Sequence, residues 1–301
     1  MIRLKGKYNE YYFDESRPFK KPGKFSIVFK GESNSGQSVL IKRLSEYNAE
    51  NIHESKITHH CFVKSIERII SDDHVYLIRS FADGISLIDL KNTNWFASEK
   101  KILLLKRIIS EISEALASLH SQQLVHLDIR PHNILVSTSN DSAKSIVSII
   151  DLDMVRPFYS SEEVTHFPLI YAAPELLLKK NTIIDNRTDI YALSITLYEL
   201  IFNKRPFSNV NAELIMHLML NKKLDQINNR HFQLVNVLNK ASNKHTFNLP
   251  PNVLNNEQVE ELLLSGMNSR YNNIESFTSD LLNTINYDKS WISRLTQFFQ
   301  S

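Results

Sequence analysis

Three polar side chains between positions 128 and 151 have the types and spacing that phosphoryl transfer requires. Asp128 is followed five positions later by Asn133, and Asp151 lies beyond a short apolar stretch and a polar turn. A carboxylate such as Asp128 can accept a proton from a hydroxyl, and the side-chain oxygens of Asn133 and Asp151 can hold metal ions on a polyphosphate. The pattern therefore predicts a metal-assisted phosphoryl-transfer site.

Strands are predicted on the amino-terminal side of these residues. Residues 24–30 and 38–42 are rich in β-branched and aromatic side chains, and the cluster of Gly, Ser and Asn between them predicts a hairpin. Residues 62–70 and 75–81 form two more strand-like runs, and the polar stretch 46–58 leaves room for one helix. We therefore expect a small, mostly antiparallel lobe.

The apolar period becomes helical after residue 100. A stripe typical of a buried helix runs along this stretch and consists of Leu103, Leu104, Ile108, Ile109, Ile112, Leu116 and Leu119. Further helices are expected at residues 188–202, 212–220, 257–264 and 291–299, the last of them packed on the second lobe. Residues 225–255 are polar and rich in Asn, and they predict no defined element.

The composition argues against several classes of protein. Of 301 residues, 42% are hydrophobic and 23% are charged, which suits a globular chain with two lobes. The net charge of +2 is too small to indicate a nucleic-acid or membrane partner. The single cysteine, Cys61, fits a reducing compartment. Residues 1–13 lack a signal-peptide core and no apolar run approaches the ~18 residues of a membrane span, so a cytoplasmic location is expected.

The central stretch and its neighbours resemble a divergent eukaryotic-type (Hanks-type) serine/threonine protein kinase, with motifs in the family's order from about residue 21 to about residue 285. His126, Asp128 and Asn133 match the catalytic loop, and Asp151 stands where the family has the metal-binding aspartate of Asp-Phe-Gly. The resemblance implies that Asp128 is the base and that Asn133 and Asp151 hold the metal. Arg130 stands in place of a lysine that neutralises the transferred phosphate, and arginine can supply the same charge.

The resemblance also implies a nucleotide site before residue 83. Residues 23–30 look like the glycine-rich loop, although Lys21 and Ser26 stand at two of its usual glycine positions. Residues 76–90 are similar to the hinge and the start of the following helix. The residues implied to contact the nucleotide are Gly23, Ser26, Val28, Lys42, Glu50, Ser80 and Ala82.

Lys42 is the implied ligand of the α- and β-phosphates. It ends the strand-like run Val39-Leu40-Ile41-Lys42. Its family partner is a glutamate on the following helix, and Glu50 fits that place best. Glu46 and Glu54 stay open, because one helical turn of slip exchanges them.

Four further residues depart from the family's pattern. Leu127 replaces the arginine that normally binds a phosphate on the activation loop, so activation by that route is not expected. Asp153 replaces the glycine of Asp-Phe-Gly, which is expected to limit flipping between active and inactive forms. Arg79 falls at the back of the nucleotide pocket, where the family usually has an apolar residue. Pro168 stands where a threonine often contacts the base, which leaves the acceptor preference open.

Three charged residues resemble structural anchors of the family. Glu175, in Ala173-Pro174-Glu175, and Arg270 look like a buried ion pair, and Asp189 resembles the aspartate that holds the backbone of the catalytic loop. A buried charge without its partner costs several kcal/mol, so loss of Glu175 or Arg270 is expected to destabilise the large lobe.

The expected fold is α+β and bilobal, with a β-rich nucleotide-binding lobe over residues 1–82 and a helical catalytic and substrate lobe over residues 83–301. The implied reaction transfers the γ-phosphate of ATP to Ser or Thr hydroxyls of a protein, with Mg²⁺, or Mn²⁺ in its place. Two alternatives stay open. Residues 150–153 also resemble the motif of aminoglycoside and choline phosphotransferases, and Leu127, Asp153 and the thin glycine loop favour a pseudokinase scaffold.

Overall fold

A six-stranded antiparallel sheet forms the amino-terminal part of the protein. The computed structural model describes residues 1–19, 26–44, 56–90, 100–137, 146–164, 166–208, 211–225, 232–247 and 249–287. The strands of the sheet are β1 Ile2–Lys5, β2 Glu10–Phe13, β3 Ser26–Ser33, β4 Ser38–Leu44, β5 Ser65–Ser71 and β6 His74–Ser80. Their spatial order is β1-β2-β3-β4-β6-β5.

The predicted hairpin between the first two strand-like runs is confirmed. β3 and β4 pair from Ser26 opposite Leu44 to Glu32 opposite Ser38. Gly36 lies in the connecting turn with φ of 77°, in the left-handed region that favours glycine. The hairpin places Val28 opposite Lys42, so two predicted site residues are neighbours across the strands.

The hairpin of β1 and β2 was not predicted. It pairs with the outer edge of β3 and contributes Leu4, Tyr11 and Phe13 to the core of the small lobe. The hydroxyl of Tyr11 also donates to Glu67 Oε1 on β5, at 2.6 Å. The rest of this core is built from alternate residues of the following strands: Phe29, Val39, Ile41, Ile69, Tyr76 and Ile78.

Helices dominate the described residues after position 86. They are α1 Leu87–Leu90, α2 Lys100–His120, α3 Pro174–Leu177, α4 Asn186–Phe202, α5 Ala212–Asn221, α6 Phe232–Ala241, α7 Asn256–Asn268 and α8 Ile274–Tyr287. β7 Ile85–Ser86 directly precedes α1, and four more short strands lie between α2 and α3: β8 Leu124–Val125, β9 Ile134–Val136, β10 Val147–Ile149 and β11 Arg156–Pro157. The α+β, bilobal architecture expected from the sequence is therefore confirmed.

The predicted helices at 188–202, 212–220 and 257–264 are confirmed as α4, α5 and α7. Asp185, Asn211 and Asn255 cap them, each accepting a hydrogen bond from the first turn. α6 lies inside the stretch without a predicted element, and α8 was also missed. The helix expected at 291–299, and all but the end of the stretch 46–58, lie outside the described residues.

The predicted stripe on α2 is wrong at its beginning. Leu103 is 70% exposed, whereas Ile102 and Leu105 are buried. From Ile108 onward the stripe packs into the core as expected. The first turn deviates because apolar residues occur there on every side of the helix, so the period does not define a single face.

α4 is the central helix of the large lobe, and every residue from Thr188 to Ile201 is buried. Three residues that precede β5 also join this core, namely Ile57, Cys61 and Phe62, and Phe62 forms a bridge with Ile149 on β10. The boundary between residues 82 and 83 stays a prediction. Among the helices that the structure describes, none is long and apolar enough to cross a membrane.

Candidate active site

The loop between β8 and β9 is held by one buried carboxylate. Asp189, in the first turn of α4, accepts hydrogen bonds from the backbone N–H groups of His126 and Leu127, at 2.8 and 2.9 Å. His120 Nε2 lies 2.9 Å from the same carboxylate. Leu127 adopts φ of 65°, an unusual conformation for a leucine that these bonds help to hold. The structural role expected for Asp189 is confirmed.

His126 is a neutral part of this framework. It is fully buried, and burial lowers the pKa of its imidazole below the ordinary value. Its Nδ1 accepts a hydrogen bond from the backbone N–H of Asp128, at 3.2 Å. The ring therefore fixes the backbone that carries Asp128.

Asp128, Arg130 and Asn133 lie together in the next turn of the chain. The Nδ2 group of Asn133 donates to the backbone oxygen of Asp128 at 3.0 Å and to its Oδ2 at 2.5 Å. Arg130 Nε lies 3.0 Å from Asp128 Oδ1 as an ion pair. Asp128 and Asn133 are almost fully buried, whereas about a third of the Arg130 side chain is exposed.

The carboxyl of Asp128 has an unusual proton affinity. Burial and, to a smaller extent, the nearby charge of Asp151 raise the pKa of Asp128 to about 7, against the opposing charge of Arg130. A group with this pKa can exchange a proton near neutral pH, as a general base must.

Asp151 follows β10 and meets Lys42 from the small lobe. Lys42 Nζ lies 2.8 Å from Asp151 Oδ1 and also donates to Asp153 Oδ2. Asp151 adopts φ of 69°, which turns the chain sharply between the two aspartates. Lys42 and Asp151 are 109 positions apart, so their contact joins the lobes.

Arg79 on β6 completes a cluster of four charges with Lys42, Asp151 and Asp153. Its guanidinium forms a close ion pair with Asp153 and lies 3.4 Å from Asp151 Oδ1. Burial opposes ionisation of Asp151, but Lys42 and Arg79 outweigh it and hold the pKa of Asp151 well below its ordinary value. Burial also disfavours the charge on Lys42, yet the two aspartates raise the pKa of Lys42.

The oxygens in this site suit a hard divalent cation. Asn133 uses its amide nitrogen on Asp128, so its carbonyl oxygen is the atom it can offer to a metal. Asp151 offers a carboxylate that stays ionised because its pKa is depressed. Carboxylate and amide oxygens are the ligands that Mg²⁺ prefers, so the residues present fit the metal that the sequence implies.

The other described residues that were expected at the nucleotide lie on the six-stranded sheet or just after its strand β6. Ser26 and Val28 lie on β3, Ser80 ends β6, and Ala82 follows it. Gly23 and Glu50, with the alternatives Glu46 and Glu54, lie outside the described residues. Their roles at the nucleotide stay predictions.

The sequence identifies Arg79 and Asp153 as departures from the family's pattern but does not predict the contact between them. They are 74 positions apart, and no spacing rule joins residues at that distance. Their opposite charges were the available signal, because two unexpected charges in one site are expected to pair.

The predicted anchor of the large lobe is confirmed. Arg270 Nη1 and Nη2 donate to Glu175 Oε1 and Oε2 at 2.7 and 2.9 Å, and both side chains are buried. Thr188 of α4 donates a further hydrogen bond to Glu175, at 2.8 Å. The pair therefore ties α3 to α4 and to the chain before α8.

Two bacterial serine/threonine-protein kinases are similar in sequence to this chain. Serine/threonine-protein kinase Pkn1 of Myxococcus xanthus is 26% identical over 212 residues, which are 65% of this chain and 30% of Pkn1. Serine/threonine-protein kinase PrkC of Bacillus subtilis is 27% identical over 174 residues, which are 56% of this chain and 25% of PrkC. The matched region therefore spans less than a third of the length of either relative.

A solved structure shares the fold. The autoinhibited serine kinase domain of the giant muscle protein titin superposes with a TM-score of 0.65 at 19% identity, over 96% of this chain and 86% of that one. At this identity the likeness shows the fold alone. The protein kinase domain family matches residues 22–284, which is most of the chain. The chain belongs to the protein kinase domain family.

Proposed function

We propose that this chain transfers the γ-phosphate of ATP to Ser or Thr hydroxyls of a protein substrate. Two contacts carry the proposal, Asp128 with Asn133 and Asp151 with Lys42, and the charges of Asp151 and Lys42 also act on Asp128. The four residues come from three separate segments of the two lobes. Both relatives are named serine/threonine-protein kinases, which supports Ser or Thr as the acceptor. The fit of Cys61 to a reducing compartment supports a cytoplasmic location.

Each residue has a task in this reaction. Asp128 accepts the hydrogen bond of the acceptor hydroxyl and takes its proton as the oxygen attacks the γ-phosphorus, while the bond from that phosphorus to the β–γ bridging oxygen breaks and ADP leaves. In this proposal Lys42 orients the nucleotide phosphates, and Arg130 offsets charge on the transferred group. Mg²⁺ bound through Asn133 and Asp151 would neutralise charge that develops on the phosphates.

The central test is Asp128→Asn. The variant keeps the shape of the side chain but removes the base, so transfer is expected to fall by a factor of about 10²–10⁴. Nucleotide affinity should change little, because Lys42 and Asp151 remain. Phosphate incorporation and calorimetric binding of an ATP analogue measure the two effects.

Asp72→Asn makes a matched control, because Asp72 lies in the exposed turn between β5 and β6. It removes one carboxylate far from the site and should leave transfer unchanged. Full activity of Asp128→Asn would overturn the proposal.

One observation favours a non-catalytic alternative. Lys42 is bonded to two carboxylates, and the second of them, Asp153, has no counterpart in the usual motif. A scaffold could use such a closed cluster to hold its lobes together. Incubation with radiolabelled ATP, Mg²⁺ and a generic protein acceptor separates the cases: label on protein supports the proposal, label on a small molecule supports a small-molecule kinase, and no label supports the scaffold.

A further inference from the structure

The two charged departures, Arg79 and Asp153, face each other across the lobes. On the antiparallel strands β4 and β6, Leu40 pairs with Arg79 and Lys42 pairs with Leu77. Lys42 is two residues from Leu40, so Lys42 and Arg79 project from the same face of the sheet as diagonal neighbours. Both side chains reach down from that face to Asp151 and Asp153.

The departures compensate each other. The Arg79 side chain is only 8% exposed, and a buried guanidinium without a counter-charge is strongly unfavourable. Asp153 supplies that counter-charge through its close contact with Arg79 Nη2. Within the set of Lys42, Arg79, Asp151 and Asp153, either departure alone would add one unpaired charge, whereas the two together leave two positive and two negative charges.

Asp153 also divides the cations between two carboxylates. Lys42 donates to Asp151 and to Asp153, and Arg79 is closer to Asp153 than to Asp151, from which it lies 3.4 Å. Without Asp153, Lys42 and Arg79 would both direct their charge to Asp151 and would compete with a divalent ion for its oxygens. Without Arg79, two carboxylates would face one lysine, and the site would attract a divalent ion more strongly.

We propose that Arg79 and Asp153 form a counter-charge pair that sets the affinity of Asp151 for a divalent cation, with Asp153 acting as a positioning residue for Lys42 and Arg79. This inference rests on the proposed function, because it assigns Asp151 to the metal. It goes beyond that function because it assigns a role in cation binding to Arg79 and Asp153, which the kinase motifs do not contain.

A double-mutant cycle tests the pair. The variants are Asp153→Asn, Arg79→Met and the double variant, and calorimetry measures binding of Mg²⁺ in the presence of a non-hydrolysable ATP analogue. Asp153→Asn should weaken Mg²⁺ binding by about tenfold, Arg79→Met should strengthen it by a similar factor, and the double variant should return to near the wild-type affinity. If the two charges balance each other, the Mg²⁺ affinity should shift in opposite directions in the two single variants and the shifts should cancel in the double variant. A loss of structure would instead weaken Mg²⁺ binding in both single variants.

The control is Arg43→Gln. Arg43 is adjacent to Lys42 on β4 but lies over the ring of Phe29 and pairs with Glu15. The substitution Arg43→Gln removes a positive charge from the same strand and should leave the affinity for Mg²⁺ unchanged. Melting temperatures in EDTA show whether each variant is folded, and Arg79→Gln replaces Arg79→Met if that protein is unstable.

Shifts in the same direction, or a double variant in which the two effects do not cancel, would overturn the inference. The readout is binding, so it does not depend on turnover. An inactive protein with opposite, cancelling shifts would contradict the proposed function alone. An active kinase without those shifts would contradict only the role of the pair.

Discussion

At the scale of single residues, two opposing effects set the pKa of the Asp128 carboxyl. Burial raises the pKa of its carboxyl to about 7, while Arg130, 3.0 Å away, favours the ionised form. A base must be ionised before it can take a proton, so this balance sets the pH at which the site can act. The charge of Arg130 therefore matters before any phosphate is bound.

The balance predicts an acid limb in the pH profile. The value of kcat/KM should fall as the pH drops below about 7, because Asp128 becomes protonated. Arg130→Gln removes the favourable charge, so the limb should move to higher pH by about one unit. Steady-state phosphorylation between pH 5.5 and 9 measures this shift.

Arg130→Lys is the matched variant, because it keeps the positive charge. Its acid limb should stay near that of the wild type even if kcat changes through the different geometry. An unmoved limb in Arg130→Gln would show that another group controls the profile.

At the scale of elements, α4 connects the chemistry to the stability of the large lobe. Its first turn carries Asp189, which holds the catalytic loop, and Thr188, which donates to Glu175. The ion pair of Glu175 and Arg270 lies directly beside it, with both side chains at most 1% exposed. One buried helix thus supports both the loop and the anchor.

The anchor predicts unequal effects of single and double substitution. Glu175→Ala or Arg270→Ala should each lower the free energy of unfolding by about 3–5 kcal/mol, because the remaining charge is buried without its partner. Replacing both by Met should cost less than either single change. Urea denaturation of the large lobe measures these differences.

The exposed ion pair of Lys179 and Glu163 is the control for the buried pair of Glu175 and Arg270. Its side chains are 61% and 59% exposed, so Lys179→Ala should cost less than about 1 kcal/mol. Additive losses in the Glu175 and Arg270 variants would mean that the two charges act independently.

An element could be predicted from the sequence when its apolar period or its turn residues lie within the element itself. α4 and the β3–β4 hairpin have clear apolar periods or turn residues, and both were predicted. α8 has Ile274, Phe277, Leu281 and Ile285 at helical spacing and is buried along that stripe, yet its many polar residues concealed it. The spacing of Asp128, Asn133 and Asp151 indicated the site, but the pairing of Arg79 with Asp153 depends on tertiary structure and could not be derived from spacing.

At the scale of the whole molecule, two hydrophobic cores are joined by a polar interface. The small core lies within the six-stranded sheet, and the large one surrounds α4. The four charges of Lys42, Arg79, Asp151 and Asp153 connect the sheet to the catalytic segment. Substitutions in one core are therefore expected to act first on their own lobe.

Leu4→Ala tests this independence. Leu4 is 1% exposed in the small core, so its truncation should cost about 2–5 kcal/mol there. Amide exchange should accelerate in β1 to β6 and remain slow in α4. Leu103→Ala, at a position that is 70% exposed, should leave both regions unchanged. Equal acceleration in α4 would show that the two lobes unfold as one unit.

The unpredicted β1–β2 hairpin also changes what the sheet presents to other chains. One outer edge is now β1, a strand of four residues in which Arg3 and Lys5 are exposed. The opposite edge, β5, is interrupted by an irregularity in register between Ser65 and Glu67. Short, charged or bulged edges are poor templates for strand addition. The folded small lobe is thereby protected from edge-to-edge aggregation, a hazard for any open sheet in a crowded solution.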